Sequence, residues 1–357
     1  MEDSRITIDN KEHLEDQENN QVVDPWNVKG DGENAIDFGK LTRQFGCEEI
    51  KGDLIRRIEK ATNMRVHCFL RRGLFFSNKD MNKILDLYEA GKNIYLYTGR
   101  GPSSESMHLG HVVPIKFTQY LEKVFGAILV FQMSNDEKFY FKGKNSLDHF
   151  TELGHENVKD IIAIGFNVNR TYIFDNSVEI TRNPALMRNF IEMSAVTKGS
   201  TIKATFGLST DAGKNENEAG NTIGQIVWPI FQSIPAYASS FPNLLEPDSP
   251  CLVVMAIDQA PYFRIARDFA GTKGIIKPAE LHSEFLPSLQ GVNAKMSSTA
   301  DCPVIFLTDT PKQIKDKINK SAFSGGGKTL EEHREHGANL ATDIPYQYLL
   351  YFCPDDN

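Results

Sequence analysis

Two histidines three residues apart, His108 and His111, follow a run of small and polar residues from Thr98 to Ser106. On a helix that spacing puts both imidazoles on one face, one turn apart. There they can hydrogen-bond phosphate oxygens and stabilise charge that builds up in phosphoryl or nucleotidyl transfer. Taken alone, His-x-x-His also fits an ordinary pair of surface or core histidines. A second stretch far downstream, Ala294-Lys295-Met296-Ser297-Ser298-Thr299, offers one cation and successive hydroxyls on a short polar loop.

The elements around the histidines are those that would place them at an anion site. Ile94 to Thr98 reads as a strand, Gly99, Gly101 and Pro102 as a turn, and Val112 to Leu121 as a helix; the apolar run Ala127 to Met133 reads as a second strand. Together they predict a right-handed βαβ unit of a parallel sheet. A helix start offers free N–H groups and the positive end of the helix dipole to a phosphate. Glycines at 99, 101 and 110 allow a nucleotide to approach the backbone.

The alternation continues. Val158 to Gly165 predicts a helix end, Thr171 to Phe174 a strand, and Cys251 to Ile257 a strand buried on both faces. Leu281 to Leu286 and Val304 to Leu307 also read as strands. Polar groups follow several of these runs, notably Asp136-Glu137-Lys138 and Asp258-Gln259, and the carboxyl ends of strands are where open α/β sheets bind ligands. Ser77, three positions before Asp80, predicts the start of a helix carrying Met81, Ile84, Leu85 and Tyr88, and Thr310-Pro311-Lys312-Gln313 predicts another through a capping box.

The chain has 357 residues, 40% hydrophobic and 24% charged, the composition of an ordinary globular protein. No run approaches the roughly 20 apolar residues of a membrane span. The N-terminal residues lack a basic-then-apolar signal pattern. The five cysteines are scattered without Cys-x-x-Cys spacing, so neither a disulfide framework nor a zinc site is expected, and a reducing cytosol fits best. A net charge of −8 argues against a protein that coats nucleic acid by bulk charge, but not against a local basic patch. Arg71-Arg72 and Lys312, Lys315, Lys317 and Lys320 are candidates for one; the lysines fit a solvated helix face equally well. Residues 1–22 are acidic and rich in Asn and Gln, and read as a disordered tail. Trp26 in the following segment is expected to pack on the body.

His-Leu-Gly-His and Lys-Met-Ser-Ser together resemble the paired signatures of class I aminoacyl-tRNA synthetases. The stretches Leu96 to Glu105, Asp136 to Lys138, Ala256 to Arg264, Leu289 to Val292 and Ile305 to Thr310 resemble eukaryotic-type tryptophanyl-tRNA synthetases, over nearly the whole chain from Val23 onward. The resemblance implies an α/β fold with a Rossmann-like parallel-sheet catalytic domain over 23–310. The helical anticodon-binding region would begin at 311–357 and look incomplete at Asn357, which makes tRNA charging less assured than adenylate formation. It implies activation of L-tryptophan by ATP and transfer to tRNA(Trp), with Mg²⁺ arriving on ATP, no tightly bound cofactor and no protein metal site.

By the same resemblance Arg100, Gly101, His108, Gly110, His111, Lys295, Met296 and Ser297 hold ATP. His108, His111, Lys295, Ser297 and Ser298 serve catalysis, the last three on a mobile loop in which Ser298 stands where many relatives have a second lysine. Tyr97 and Glu137 would meet the indole N–H; Gln132, Gln259 and Gln290 would hold the amino and carboxylate groups, with Gly99 and Ser134 lining the site. A homodimer is expected, with Ile226 to Phe231 a candidate contact, and no membrane partner. Rival readings are a tyrosyl-tRNA synthetase and a catalytically silent binding protein of the same fold.

Overall fold

Apolar residues fill both faces of the strands at the centre of the sheet, and helices cover those faces. The computed structural model describes residues 21–31, 35–211, 220–297 and 303–356. In chain order the strands are β1 (Val22–Val23), β2 (Val28–Lys29), β3 (Glu48–Glu49), β4 (Phe75–Lys79), β5 (Tyr95–Arg100), β6 (Ile128–Met133), β7 (Thr171–Asp175), β8 (Cys251–Ala256), β9 (Ala279–Ser283), β10 (Pro287–Ser288) and β11 (Gly291–Lys295). The main sheet has the order β3-β4-β9-β8-β5-β6-β7. From β9 to β7 the neighbours run parallel, while β4 and β3 join antiparallel at the β9 edge. A small sheet, β1-β2-β11-β10, lies apart from it in the pairing pattern.

Period-two alternation divides the main strands between two apolar cores. Leu96, Leu129, Phe131, Leu252, Val254 and Leu281 enter one core. Tyr95, Tyr97, Val130, Val253 and Met255 enter the other. The expected βαβ unit is present as β5, the Leu109–Phe125 helix and β6. Val113, Phe117 and Leu121 of that helix are buried in the first core, and Gly126 ends it at φ 60°, a left-handed position that suits glycine.

Several expectations need correction. Ser77 does not cap the helix Met81–Glu89, because it lies in β4 and its hydroxyl meets His282 Nδ1 at 3.0 Å. Instead the Met81 N–H is taken by Asn78 Oδ1 at 3.2 Å. The antiparallel strand β4 is not among the expected elements, because its Phe-Phe-Ser-Asn-Lys pattern lacks a clean alternation. The run Val304 to Leu307 is not a strand; it makes a single bridge, Phe306 to His108. Ala294 and Lys295, read as loop, close β11. The expected tail lies outside the described residues as far as position 20, and Val22 already belongs to β1. Trp26 packs against Phe141 and Phe206, with ring centroids 5.4 and 6.4 Å away.

The segment Ile226 to Phe231 lies in the Ile223–Ser233 helix, where Trp228, Ile230 and Phe231 are buried within the chain's own core, so most of it is not available to a second copy. Thr310 and Gln313 form the expected capping box at the Pro311–Ser321 helix. That helix has no buried residue, yet Lys317 is committed to Asp309 at 2.5 Å and to the Val304 carbonyl at 2.8 Å. Lys312, Lys315 and Lys320 are exposed. Arg71 and Arg72 do not form a free basic patch either, since both bind the carboxylate of Asp356.

Phe117 is fully buried and stacks on Phe75 with centroids 3.8 Å apart, linking the central helix to β4. Phe117→Ala should lower unfolding stability by about 3–5 kcal/mol. Chemical denaturation followed by circular dichroism measures this; a loss below about 1 kcal/mol would mean that the packing there is not what the structure indicates.

Candidate active site

A cavity of about 280 Å³ opens at the carboxyl ends of β5, β6, β8 and β9. Parallel strands bring their ends to one edge of the sheet, and the chain leaves β5 and β8 in opposite directions across it, which creates the crevice. Of the residues singled out in the sequence, β5 and its loop contribute Tyr97, Gly99, Arg100 and Gly101, and the helix start contributes His108, Gly110 and His111. Ser134 and Glu137 come from the β6 side, Gln259 from the β8 side, and Lys295 and Met296 from the small sheet.

Three glutamines were expected at this cavity, but only Gln259 lines it. Gln132 is wholly buried one layer behind the wall. Gln290 stands exposed on the turn between β10 and β11. Ser297 is described but does not line the cavity, and Ser298 lies outside the described residues.

The helix start is held by groups that its own motif does not reveal. Asp160, from the Leu147–Ile164 helix, accepts the Met107 N–H at 2.8 Å and the Ser106 hydroxyl at 3.1 Å. Asn157 of the same helix donates to the Ser104 carbonyl at 2.8 Å. From the other side Leu109 N–H donates to Ile305 O at 3.0 Å, and Leu307 N–H to Met107 O at 2.9 Å. Position 110 is tight, since a Cβ there would lie 3.1 Å from the His108 ring and would require that ring to shift. At Gly101 a Cβ would meet the Lys138 and Glu137 side chains at 2.5 and 2.9 Å.

His108 caps the helix and His111 is its third residue; their rings stack with centroids 3.6 Å apart. His111 Nδ1 accepts the His108 backbone N–H at 3.3 Å, which leaves its ring proton on Nε2. Burial, with Arg100 as the nearest repelling charge, pushes His108 down to about 3 and holds His111 well below its usual range. Both are therefore neutral imidazoles at neutral pH, acting as directed dipoles rather than cations.

Besides Lys138, which Glu137 pairs, two cations line the cavity. Arg100 is buried, and its Nε and Nη2 have no protein partner among the described residues, while Nη1 binds the Gly101 carbonyl. Burial lowers it to about 10, so it stays charged. Lys295 reaches in from β11 and is held by Asp258 Oδ2 at 2.6 Å, its ammonium 5.5 Å from the centre of the Phe285 ring. Asp258 was visible in the sequence only as part of a polar group after a strand. Its pairing with Lys295 joins positions far apart in the chain.

Aromatic rings and a carboxylate line the rest of the cavity. Tyr97 packs edge-on against Phe263 at 5.8 Å, and Trp228 lines the cavity as well. Glu137 pairs with Lys138 at 2.7 Å. The Tyr97 hydroxyl lies 2.6 Å from Gln132 Oε1 and 2.8 Å from the Gln232 carbonyl. Gln132 donates to Asn176 Oδ1 at 2.9 Å, and Asn176 to Asp136 Oδ2 at 2.7 Å. This polar chain fixes the Tyr97 ring from behind, and Asn176 was not singled out in the sequence. Among the described residues no group of three His, Cys, Asp or Glu is placed to hold a metal.

The sheet order and the neutral histidine pair at a helix start define a class I aminoacyl-tRNA synthetase fold, and the family of class I tRNA synthetases for W and Y matches residues 89–335. The tryptophan–tRNA ligase, cytoplasmic, of Mus musculus is 48% identical over 337 residues, 94% of this chain and 68% of that protein. Its Saccharomyces cerevisiae counterpart is 46% identical over 343 residues, 94% of this chain and 77% of that one. The crystal structure of Plasmodium falciparum tryptophanyl-tRNA synthetase superposes with a TM-score of 0.82 at 47% identity, covering 90% of this chain and 83% of that one. The chain belongs to the tryptophanyl-tRNA synthetase family. The tyrosyl alternative is thereby set aside.

Asp136 gives the site's polar chain a pH signature. Burial raises its carboxyl from 3.8 to about 7, so the folded state favours the protonated form and the unfolded chain does not. Its contribution to stability is full below about pH 4, declines as pH rises, and is lost above about pH 7. Asp136→Asn keeps an acceptor for Asn176 without the ionisation. Urea unfolding at pH 5, 6, 7 and 8 should show the variant gaining on the parent as pH rises, then levelling; a pH-independent difference would rule out this titration.

Proposed function

We propose that this chain activates L-tryptophan with ATP, forming tryptophanyl-adenylate and pyrophosphate, and passes the aminoacyl group to tRNA(Trp). The observation that carries this reading is a single cavity lined both by anion-receptive groups and by aromatic rings with a carboxylate. A tryptophan carboxylate oxygen attacks the α-phosphorus of ATP, the bond to the β-phosphate oxygen breaks, and pyrophosphate leaves with the electron pair. A terminal ribose hydroxyl of the tRNA then attacks the adenylate's carbonyl carbon and AMP departs.

The residue roles follow from charge and exposure. Arg100, whose Nε and Nη2 have no partner among the described residues, and the Nε2–H of His111 suit phosphate oxygens, with His108 beside them. Gly110 and Met296 line the same part of the cavity, and Gly101 is assigned to ATP beneath the Glu137–Lys138 pair. Lys295 must exchange Asp258 for the phosphates, where it offsets the charge of the leaving pyrophosphate. Ser297 and Ser298, next along the chain, complete that segment. Mg²⁺ accompanies ATP as its counter-ion. Glu137 and Tyr97 take the indole N–H or the ammonium of tryptophan, Gln259 its carboxylate, and Gly99 and Ser134 shape the slot. Gln132 acts through Tyr97, and Gln290 is assigned to the substrate only if the hairpin carrying it closes.

The helices Pro311–Ser321, Leu330–His336 and Ile344–Phe352 are read as the start of the anticodon-binding region, with Lys312, Lys315 and Lys320 offered to tRNA. A homodimer is proposed through the exposed Ile191, Val196 and Ile223 on two neighbouring helices rather than through Ile226 to Phe231. No described helix is long and apolar enough to cross a membrane. The compartment proposed is the cytoplasm named for the mouse and yeast relatives, and Cys47, Cys68, Cys251 and Cys353 are free thiols.

ATP–pyrophosphate exchange with each of the twenty amino acids tests the reading. Exchange with tryptophan alone is expected, and no exchange in folded protein that binds ATP would leave a silent binding protein. Lys295→Ala should lower kcat by about 10²–10³. Glu137→Ala should raise the tryptophan KM about tenfold or more, and far more than the ATP KM. Equal changes in both would remove Glu137 from the amino-acid subsite.

A further inference from the structure

Lys295 sits on the weakest support in the cavity. Its strand, β11, pairs with a β10 of only two residues, Pro287 and Ser288, and the register between them is irregular. Pro287 is the register partner of Lys295, and Met296 N–H donates to Leu286 O at 2.9 Å. The segment Phe285–Leu286–Pro287 therefore sets where the Lys295 ammonium starts from.

That segment is gripped from outside the sheets. In the Ile344–Phe352 helix the Tyr348 hydroxyl donates to Pro287 O at 2.9 Å, and the Tyr351 hydroxyl to Phe285 O at 3.3 Å. The two acceptors flank Leu286, whose carbonyl receives Met296. Both tyrosines are buried, and burial holds the Tyr351 phenol well above its usual range, so it remains a donor. The helix is anchored at both ends. Ile344 N–H donates to Phe323 O at 3.0 Å, and Phe323 N–H to Leu289 O at 2.8 Å, tying the helix start to the same hairpin. At the other end Arg72 Nη1 donates to the carbonyls of Leu350 and Cys353 at 2.7 and 2.9 Å.

We propose that Tyr348 and Tyr351 are positioning residues for Lys295, coupling the seat of the Ile344–Phe352 helix to the cation that serves adenylate formation. The linkage rests on the activity proposed above. A charge acts on a transition state only where it is placed, and small displacements cost much of its effect. A helix that moves on binding tRNA would thus change the adenylation step through two hydroxyls, without touching ATP or tryptophan.

A double-mutant cycle on the full chain tests this. Tyr348→Phe with Tyr351→Phe removes only the two hydroxyls. Single-turnover adenylate formation should slow about tenfold in the otherwise unaltered chain, with the tryptophan KM changed by less than about twofold. In a Lys295→Ala background the same pair should slow it by less than about twofold, because the group they position is gone. Equal slowing in both backgrounds, or none in the first, overturns the proposal. If the double variant unfolds, each single variant is measured in the same cycle, with about threefold expected from each. Hydrogen exchange at the Met296 amide separates the proposal from the activity it rests on. Faster exchange in the Phe variants is expected whether or not the parent activates tryptophan, and unchanged protection overturns the linkage. Failure of the parent to exchange pyrophosphate with tryptophan would instead overturn the activity.

Discussion

A parallel sheet must be covered on both faces, and that constraint governs the rest of the molecule. Covering both faces requires crossover helices, and crossovers bring the carboxyl ends of β5, β6, β8 and β9 to one edge. The functional groups then need no long loops to meet. Tyr97 and Arg100 belong to β5 itself, Ser134 and Glu137 follow β6 within one helical turn, and Asp258 and Gln259 follow β8 directly. Each is placed by a strand whose register is set by a buried apolar pair on either side. The precision of the cavity is inherited from the core.

Electrostatics give the cavity its character. Besides Lys138, which Glu137 pairs, four groups that could carry positive charge face it, yet burial keeps His108 and His111 neutral and leaves Arg100 and Lys295 as the other cations. Four charges packed together would repel and open the site. Two cations with two neutral donors give a graded field that an incoming triphosphate can strengthen, since an anion near an imidazole raises its affinity for a proton. Asp258 partly cancels Lys295 until something more anionic arrives. Arg100 forms no ion pair among the described residues, though the Glu137 and Asp160 charges favour it, and its buried N–H groups are preorganised at the cost of their hydration.

Much of this was legible in the sequence because its signals are local. Strand, turn, helix start and strand are contiguous from Ile94 to Met133, and period-two and helical spacing can be read without knowledge of the rest. The two signatures named segments that meet at the cavity, Gly110 lying beside Met296. What stayed hidden depends on long-range pairing. Asn157 and Asp160 look like ordinary helix-surface residues until the helix is laid against the Ser104–Met107 loop. Asn176 gains its role only by lying between Gln132 and Asp136. Gln132 and Gln290 share a residue type and a motif-rich context with Gln259, but a strand interior, a strand's end and an exposed hairpin turn are not distinguished by composition. Ser77 misled for a related reason: the N-cap spacing was real, but a partner across the sheet, His282, claimed the hydroxyl.

The cavity's two catalytic arms rest on supports of different stiffness. His108 and His111 are fixed to the central sheet through the Leu109–Phe125 helix and through a loop bonded on both sides. Lys295 hangs from a four-strand sheet in which three members have two residues each. The Ile305–Leu307 backbone is bonded to Met107 and Leu109 and so belongs to the stiff arm. The stiff arm can preorganise phosphate binding, and the compliant arm can follow charge as it moves from the α-phosphate to the leaving pyrophosphate. Had both arms shared the central sheet, Lys295 would face a choice between Asp258 and the phosphates with no freedom to change partners.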